Sequence, residues 1–168
     1  MAAIWVYLET AGQALSKGSL EALGEARRQA DASGGSVTGL LFGGPGSATL
    51  AAAAGMQGAD RVILAEDPAC AAFNLELQLQ LALRALAGSE AELLLMTVST
   101  HTRELAARLA AQLGVGLAAD CVELLRAGDG LAFKRPIYAG KAFETLRVAG
   151  KPAIATLRPN NFAALPPP

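Results

Sequence analysis

Four short apolar runs, each followed by a stretch long enough for a helix, constrain this chain more than any other feature. Ile4-Trp5-Val6-Tyr7-Leu8, residues 37–42, Arg61-Val62-Ile63-Leu64-Ala65 and Leu93-Leu94-Leu95-Met96-Thr97-Val98 lack polar alternation. The first of them, Ile4–Leu8, reads as a strand buried on both faces, typical of a parallel sheet, and the other three read as further strands. Strands alternating with helices at this spacing imply a three-layer α/β/α, doubly wound, mostly parallel sheet. The 168 residues suffice for one domain with a real core. That domain is expected over residues 1–159, with the Pro-rich stretch 160–168 as a linker.

The connecting segments carry their own signals. Ser19 reads as an N-cap with Glu21 in the first turn, and its helix runs to about Ala32 before Gly34-Gly35. An Ala-rich helix follows over about 48–56. The next segment is ambiguous: Leu75, Leu77, Leu79, Leu81 and Leu83 alternate with Glu76, Gln78, Gln80 and Ala82. Period two argues for a strand. The residue types are all good helix formers, none is β-branched, and Gly88 makes a C-cap. A helix is therefore expected, with Leu75, Leu79 and Leu83 buried and Leu77 or Leu81 more exposed, facing a partner. His101 opens the fourth helix, in which Leu105, Leu109 and Leu113 share a face and Glu104 pairs with Arg108.

After Gly116 the pattern changes to four short strand-like runs, 118–125, 131–137, 142–148 and 153–157. Turns at Gly128-Asp129-Gly130, Ala139-Gly140 and Ala149-Gly150 separate them, and the first is a hairpin signal. Antiparallel strands are thus expected to follow the parallel core.

The net charge of −1 exerts no general pull on nucleic acid. Lys134, Arg135, Lys141, Arg147, Lys151 and Arg158 are nevertheless opposed within their own stretch only by Glu144. Such a segment suits an anionic ligand or an acidic partner, or else decorates a sheet edge. Cys70 and Cys121 match no metal or CxxC spacing and are expected as buried free thiols of a reducing compartment. No leader pattern and no apolar run of ~18 residues appears, so no membrane span and a cytoplasmic location are expected.

Candidate chemistry is sparse. His101 follows a strand and opens a helix, but no nucleophile or second metal ligand accompanies it. Gly43-Gly44-Pro45-Gly46-Ser47 precedes a helix, so its backbone N–H groups could meet a phosphate, but it fits no phosphate-loop spacing and a tight turn is the favoured reading over a nucleotide loop. Asp67-Pro68 reads as a turn. Arg103 stands at a helix start, where cations are disfavoured; an acidic neighbour or a partner subunit would explain its place, and an ordinary surface Arg is the commoner outcome.

Several blocks, in order, resemble the alpha subunit of the electron-transfer flavoproteins, and specifically its N-terminal domain. They are the opening strand with Ser19-Leu20-Glu21-Ala22-Leu23, then Gly58-Ala59-Asp60-Arg61-Val62, then the stretch 102–120. Arg135-Pro136-Ile137-Tyr138, Gly140-Lys141-Ala142 and Thr156-Leu157-Arg158-Pro159 with Phe162 complete the set. Two departures stand out. Thr102-Arg103-Glu104-Leu105 replaces the family's Gly-Arg-Asp-Leu, and Ala139-Gly140-Lys141 replaces its Gly-Gly-Lys; both keep the charge pattern.

The resemblance implies an adenine-nucleotide alpha-hydrolase-like fold that acts as a scaffold and is not itself an enzyme. It implies a heterodimer with a beta subunit and a following flavin domain, absent here, that carries FAD. The whole complex would move electrons from flavin dehydrogenases, such as those of fatty acid oxidation, to a quinone oxidoreductase. No FAD ligand of the family maps onto this chain. Arg103, Arg135, Lys141 and Arg158 are the residues expected to dock the partner or the missing domain. The alternative is a stand-alone adenine-nucleotide-binding module of universal-stress-protein type. A small hydrolase is a further rival, opposed by the lack of a nucleophile, His and acid set.

Overall fold

The computed structural model describes residues 2–128 and 130–166. In chain order the elements are β1 (Ala3–Leu8), the short hairpin β2 (Thr10–Ala11) and β3 (Ala14–Leu15), α1 (Lys17–Ser33), β4 (Ser36–Gly43) and α2 (Ala48–Met56). They continue with β5 (Arg61–Glu66), α3 (Leu75–Leu86), β6 (Leu93–Thr97), α4 (Thr100–Leu113), β7 (Leu117–Cys121) and β8 (Glu123–Ala127). The last are β9 (Gly130–Ile137), β10 (Ala142–Leu146) and β11 (Ala153–Leu157).

The main sheet has the order β5-β4-β1-β6-β11-β7, and every pairing in it is parallel. Chain direction across the sheet reverses between β1 and β6, which makes their carboxyl ends the switch point. Side chains alternate between two cores. Ile4, Val6 and Leu8 of β1 join Leu93 and Leu95 of β6 under α1. Trp5, Tyr7, Leu94 and Met96 face the other way, against α3 and α4. The three-layer α/β/α class expected from the sequence is what the chain adopts.

A second sheet, β10-β9-β8, is antiparallel. It docks on the main sheet through Phe133 and Leu124, which enter the α1-side core. The expectation of four antiparallel runs needs correction here. The run 118–125 splits at Val122 into β7, which is parallel, and β8, which is not. The run 153–157 is β11, which returns to the main sheet between β6 and β7. Its Ile154, Ala155, Thr156 and Leu157 are all buried, the condition that favours an interior parallel position. The expected Gly128-Asp129-Gly130 turn includes Asp129, which lies outside the described residues; its flanks Ala127 and Gly130 are paired.

Helix caps account for local boundaries. The N-cap of α1 is Ser16, whose hydroxyl accepts from the Ser19 backbone N–H. Ser19, expected as the cap, instead ties the end of β1 to the helix. Its Oγ accepts from Glu9 N at 2.7 Å and donates to Glu9 O at 2.9 Å. Gly34 closes α1 in the left-handed region. A reciprocal Ser99–Thr102 box opens α4.

Helix α3 forms where propensity predicted it, but its buried stripe is Gln78, Leu79, Ala82 and Leu86. Leu75 and Leu83 are only half-buried, as are Leu77 and Leu81. The helix is rotated because the Gln78 amide seats itself under the Tyr7 hydroxyl, 2.9 Å away. Arg108 does not take Glu104. It reaches Glu76 on α3 at 2.7 Å and links the two helices.

The stretch from Asn160 runs back across α1. Asn160 N–H donates to Glu21 Oε2 at 2.9 Å, and Lys17 Nζ donates to Asn160 Oδ1 at 2.6 Å. Phe162 packs on the α1-side core. Gly24 permits the crossing: a Cβ there would stand 2.4 Å from the Ala163 carbonyl oxygen. Pro167 and Pro168 of the expected linker lie outside the described residues.

Candidate functional site

Open parallel sheets present their ligands and partners with the carboxyl ends of the strands. One groove at that end is lined by Ser99, Arg103, Glu104, Asp120 and Arg158. Asp120 has a left-handed backbone, φ 60, a conformation short polar residues tolerate best. Its N–H donates to Thr156 Oγ1 at 2.8 Å. Its carboxylate accepts from Arg158 Nε at 3.1 Å and Nη2 at 2.6 Å. That two-point hydrogen bonding to Asp120 raises the Arg158 pKa above its ordinary value. Arg103 lines the same groove, is exposed, and makes no ion pair among the described residues. Glu104 and Asp120 line the groove with it, but neither pairs with it, and Arg103 stands as a surface residue.

Arg135 and Lys141 belong to the antiparallel sheet. Phe133, Arg135 and Ile137 alternate with Lys134 and Pro136 along β9. Phe133 points into the core, and Arg135 pairs with Glu144 of the facing strand. Arg135 also lies close enough to Cys121 to oppose the effect of burial on that thiol, whose pKa is pushed up to about 12. Between β9 and β10 the chain turns through Tyr138 and Ala139 at φ 49 and φ 54, then Gly140 at φ 83. Two consecutive non-glycine residues in the left-handed region cost of order 1–3 kcal/mol each. Tyr138 is 78% exposed and Phe143 56% exposed. Lys134 Nζ stands 5.2 Å from the Phe143 ring centre. Lys141 is exposed beside them and makes no ion pair among the described residues.

The basic stretch is less basic in three dimensions than in sequence. Lys134 meets Glu123 at 3.4 Å, Lys151 meets Glu92 at 3.1 Å and Arg158 meets Asp120. These acids come from outside the stretch, so a linear count could not show them. Arg147 is also engaged. The tip Tyr138–Lys141, with Phe143, is what remains available. The sequence reading singled out Lys141 but not Tyr138 or Phe143. A large aromatic next to Ala-Gly in a turn was the available signal.

The switch point holds a third feature. His101 Nδ1 lies 3.2 Å from Glu9 Oε1, and its ring stacks on Phe73 with centroids 3.9 Å apart and planes 4° apart. Next to them Tyr7 donates to Gln78 Oε1. Burial pushes the Tyr7 phenol far above its usual range, with Glu9 and Cys70 adding to the effect, so it stays a donor. Burial, then Asp67, also raises the Cys70 thiol. The Gly43–Ser47 turn lies alongside, but the N–H of Ala48 at the start of α2 already donates to Glu66 Oε2 at 2.9 Å. A carboxylate thus occupies the place a phosphate would need. Among the described residues no cluster of His, Cys, Asp or Glu is placed to hold a metal ion.

Residues 4–168 match the model of the electron transfer flavoprotein domain. This chain belongs to that family. The alpha-subunit resemblance read from the residues is borne out by relatives of that name. The chain is 33% identical over 160 residues to an electron transfer flavoprotein subunit alpha of Syntrophomonas wolfei, across 95% of this chain and 49% of that one. It is 34% identical over 165 residues to Protein FixB of Rhizobium meliloti, across 95% of this chain and 47% of that one. It is 30% identical over 167 residues to a subunit alpha of Clostridium acetobutylicum, across 97% and 49% respectively. The chain spans about half the length of these curated relatives. No helix among the described residues is long and apolar enough to cross a membrane.

Proposed function

We propose that this chain is the N-terminal scaffold domain of an electron-transfer flavoprotein alpha subunit, docking a beta subunit and supporting a flavin domain joined through residues 160–168. In that setting it is not a catalyst; the assembled complex passes electrons from flavin dehydrogenases to a quinone oxidoreductase in the cytoplasm. The observation that carries the docking role is the β9–β10 tip, where the exposed Tyr138 sits on a strained left-handed turn beside the Lys141 ammonium and the exposed Phe143 of β10. Exposed aromatics on a rigid support are the residues that dominate binding energy when a partner covers them.

The described residues do not fit FAD. The helix start beside the glycine turn is filled by Glu66, and the Arg158 guanidinium is spent on Asp120. No electron-transfer step is therefore routed through this chain, and its FAD is assigned to the flavin domain. The same Glu66 contact argues against a universal-stress-type module that anchors a nucleotide phosphate at this turn.

Assembly tests the proposal. The chain is co-expressed with a beta subunit and a flavin domain, and the complex is followed by size-exclusion chromatography. Tyr138→Ala and Lys141→Glu should each weaken assembly about tenfold or more without changing the far-UV spectrum. Assembly of both variants at wild-type strength would remove the tip from the interface. Stoichiometric uptake of FAD by this chain alone, followed by flavin fluorescence, would relocate the flavin site.

A further inference from the structure

The edge strand β5 and the helix α2 that packs on it form an apolar surface at one end of the main sheet. Among the described residues β5 pairs only with β4. The opposite edge is covered: just past β7 the N–H of Val122 donates to Lys134 O of β9 at 2.8 Å. Sheets commonly blunt a free edge with charges or a proline inside the strand. Between Arg61 and Glu66, β5 runs Val62-Ile63-Leu64-Ala65 without either, and each of these side chains is only half-buried. α2 carries no charged residue, yet only its Ala54 is fully buried, and Met56 is 60% exposed. A helix apolar on all sides is normally covered by protein.

The ladder fixes which backbone groups are available. Asp67 N–H donates to Gly43 O at 3.0 Å, and Gly43 lies opposite Glu66 in the register, so the odd-numbered residues of β5 bond to β4. The N–H and C=O groups of Val62, Leu64 and Glu66 therefore point outward. Side chains alternate too: Ile63 and Ala65 pack on the α3-side core, Val62 and Leu64 on the α1-side core. An antiparallel partner must set its own outward residues against these. A second copy of β5 does so about a two-fold axis at Leu64. Val62 then meets Glu66 of the other copy, Ile63 meets Ala65, and Arg61 meets Asp67.

Charge selects this register. Arg61 and Asp67 are both exposed, and neither makes an ion pair among the described residues. Moving the axis to Ile63 would set Asp60 against Glu66, like charge against like. Moving it to Ala65 would set Val62 against Pro68, which has no N–H to donate. We propose that this edge binds a second copy of the chain, continuing the main sheet antiparallel across a two-fold axis at Leu64. The Arg61–Asp67 pairs close the seam at both ends, and α2 and its copy lie along one face of it. The β9–β10 tip takes no part in it.

Sedimentation velocity between ~1 µM and ~1 mM should show monomer passing to dimer, with a midpoint on the order of 100 µM for so small an interface. Arg61→Asp and Asp67→Arg each bring like charges together at the seam and should each weaken self-association about tenfold. An equimolar mixture of the two variants should dimerise as the wild type does, because every Asp then meets an Arg. Amide exchange of the wild type needs no variant to fold. Exchange at Val62, Leu64 and Glu66 should slow several-fold as concentration rises, while Ile63 and Ala65, already bonded to β4, stay unchanged. A monomer throughout the range overturns the proposal. So does a mixture of variants that associates no better than each alone, or a dimer that leaves the three outward amides unprotected. Protection of those amides only when a beta subunit is added would give the edge to that partner and overturn it equally.

Discussion

Replacing Gly24 with Ala should change sign depending on whether the segment after Pro159 is present. Gly24 lies in the interior of α1, where Ala is favoured over Gly by about 1 kcal/mol. In the intact chain the new Cβ would meet the Ala163 carbonyl oxygen at 2.4 Å and Ala164 Cα at 3.1 Å. Both obstacles are backbone atoms, so no rotamer change relieves the clash and the crossing segment must lift. Lifting it exposes the half-buried side chains of Phe162 and Leu165. At roughly half of the usual burial energy each, that loss is about 2 kcal/mol. It also breaks the hydrogen bond from Asn160 N–H to Glu21 and uncovers Glu21, otherwise 3% exposed. With that hydrogen bond at about 1 kcal/mol, the net expectation is a destabilisation of about 2 kcal/mol in the full chain. In a chain ended at Pro159 the obstacle is gone, and the same substitution should stabilise by about 1 kcal/mol. Urea unfolding of the four proteins measures both values, and limited proteolysis reports whether the segment has lifted. Equal effects of Gly24→Ala in the two backgrounds would refute the argument.

Other substitutions test other contacts. Cys121 is fully buried, and its pKa rises from 9.0 to about 12. The folded state therefore keeps the proton that the unfolded chain releases near 9. The stability contribution is intact below pH 9 and is lost as pH rises to about 12, by up to roughly 4 kcal/mol. Cys121→Ala should flatten the alkaline slope of the urea midpoint; an unchanged slope removes the thiol as its source. Phe133, 1% exposed, joins the antiparallel sheet to the core, and Phe133→Ala should cost about 3–5 kcal/mol in chemical denaturation. Glu66→Ala removes the acceptor of Ala48 N–H and should cost about 1 kcal/mol; an unchanged melting temperature would show that water replaces the carboxylate. A double-mutant cycle across Glu76 and Arg108 should give under ~1 kcal/mol because both side chains are largely exposed.

The sequence by itself determined the layer order. The short apolar runs read as strands, and the spacing between them admits little but crossover helices; only the tertiary structure shows that β5 is a half-exposed edge. It also settled α3 as a helix: backbone propensity acts residue by residue, and a run free of β-branched residues outweighs an alternating pattern. The family was legible because its blocks occur in order along most of the chain. Tertiary structure decided matters that depend on residues far apart in sequence. Whether 153–157 pairs parallel or antiparallel depends on a free slot between β6 and β7, which no local pattern encodes. The rotation of α3 depends on Tyr7, 71 residues before Gln78. The charge of the basic stretch depends on Glu92, Asp120 and Glu123, brought in by the fold from outside it. Arg103 and Arg158 were brought to one groove, while Lys141 was left at an exposed tip with aromatics the sequence reading had not marked. Strand and helix preferences are local free energies and can be summed along the chain. Pairing partners, cavities and net surface charge are properties of which surfaces meet, and they exist only once the layers have closed.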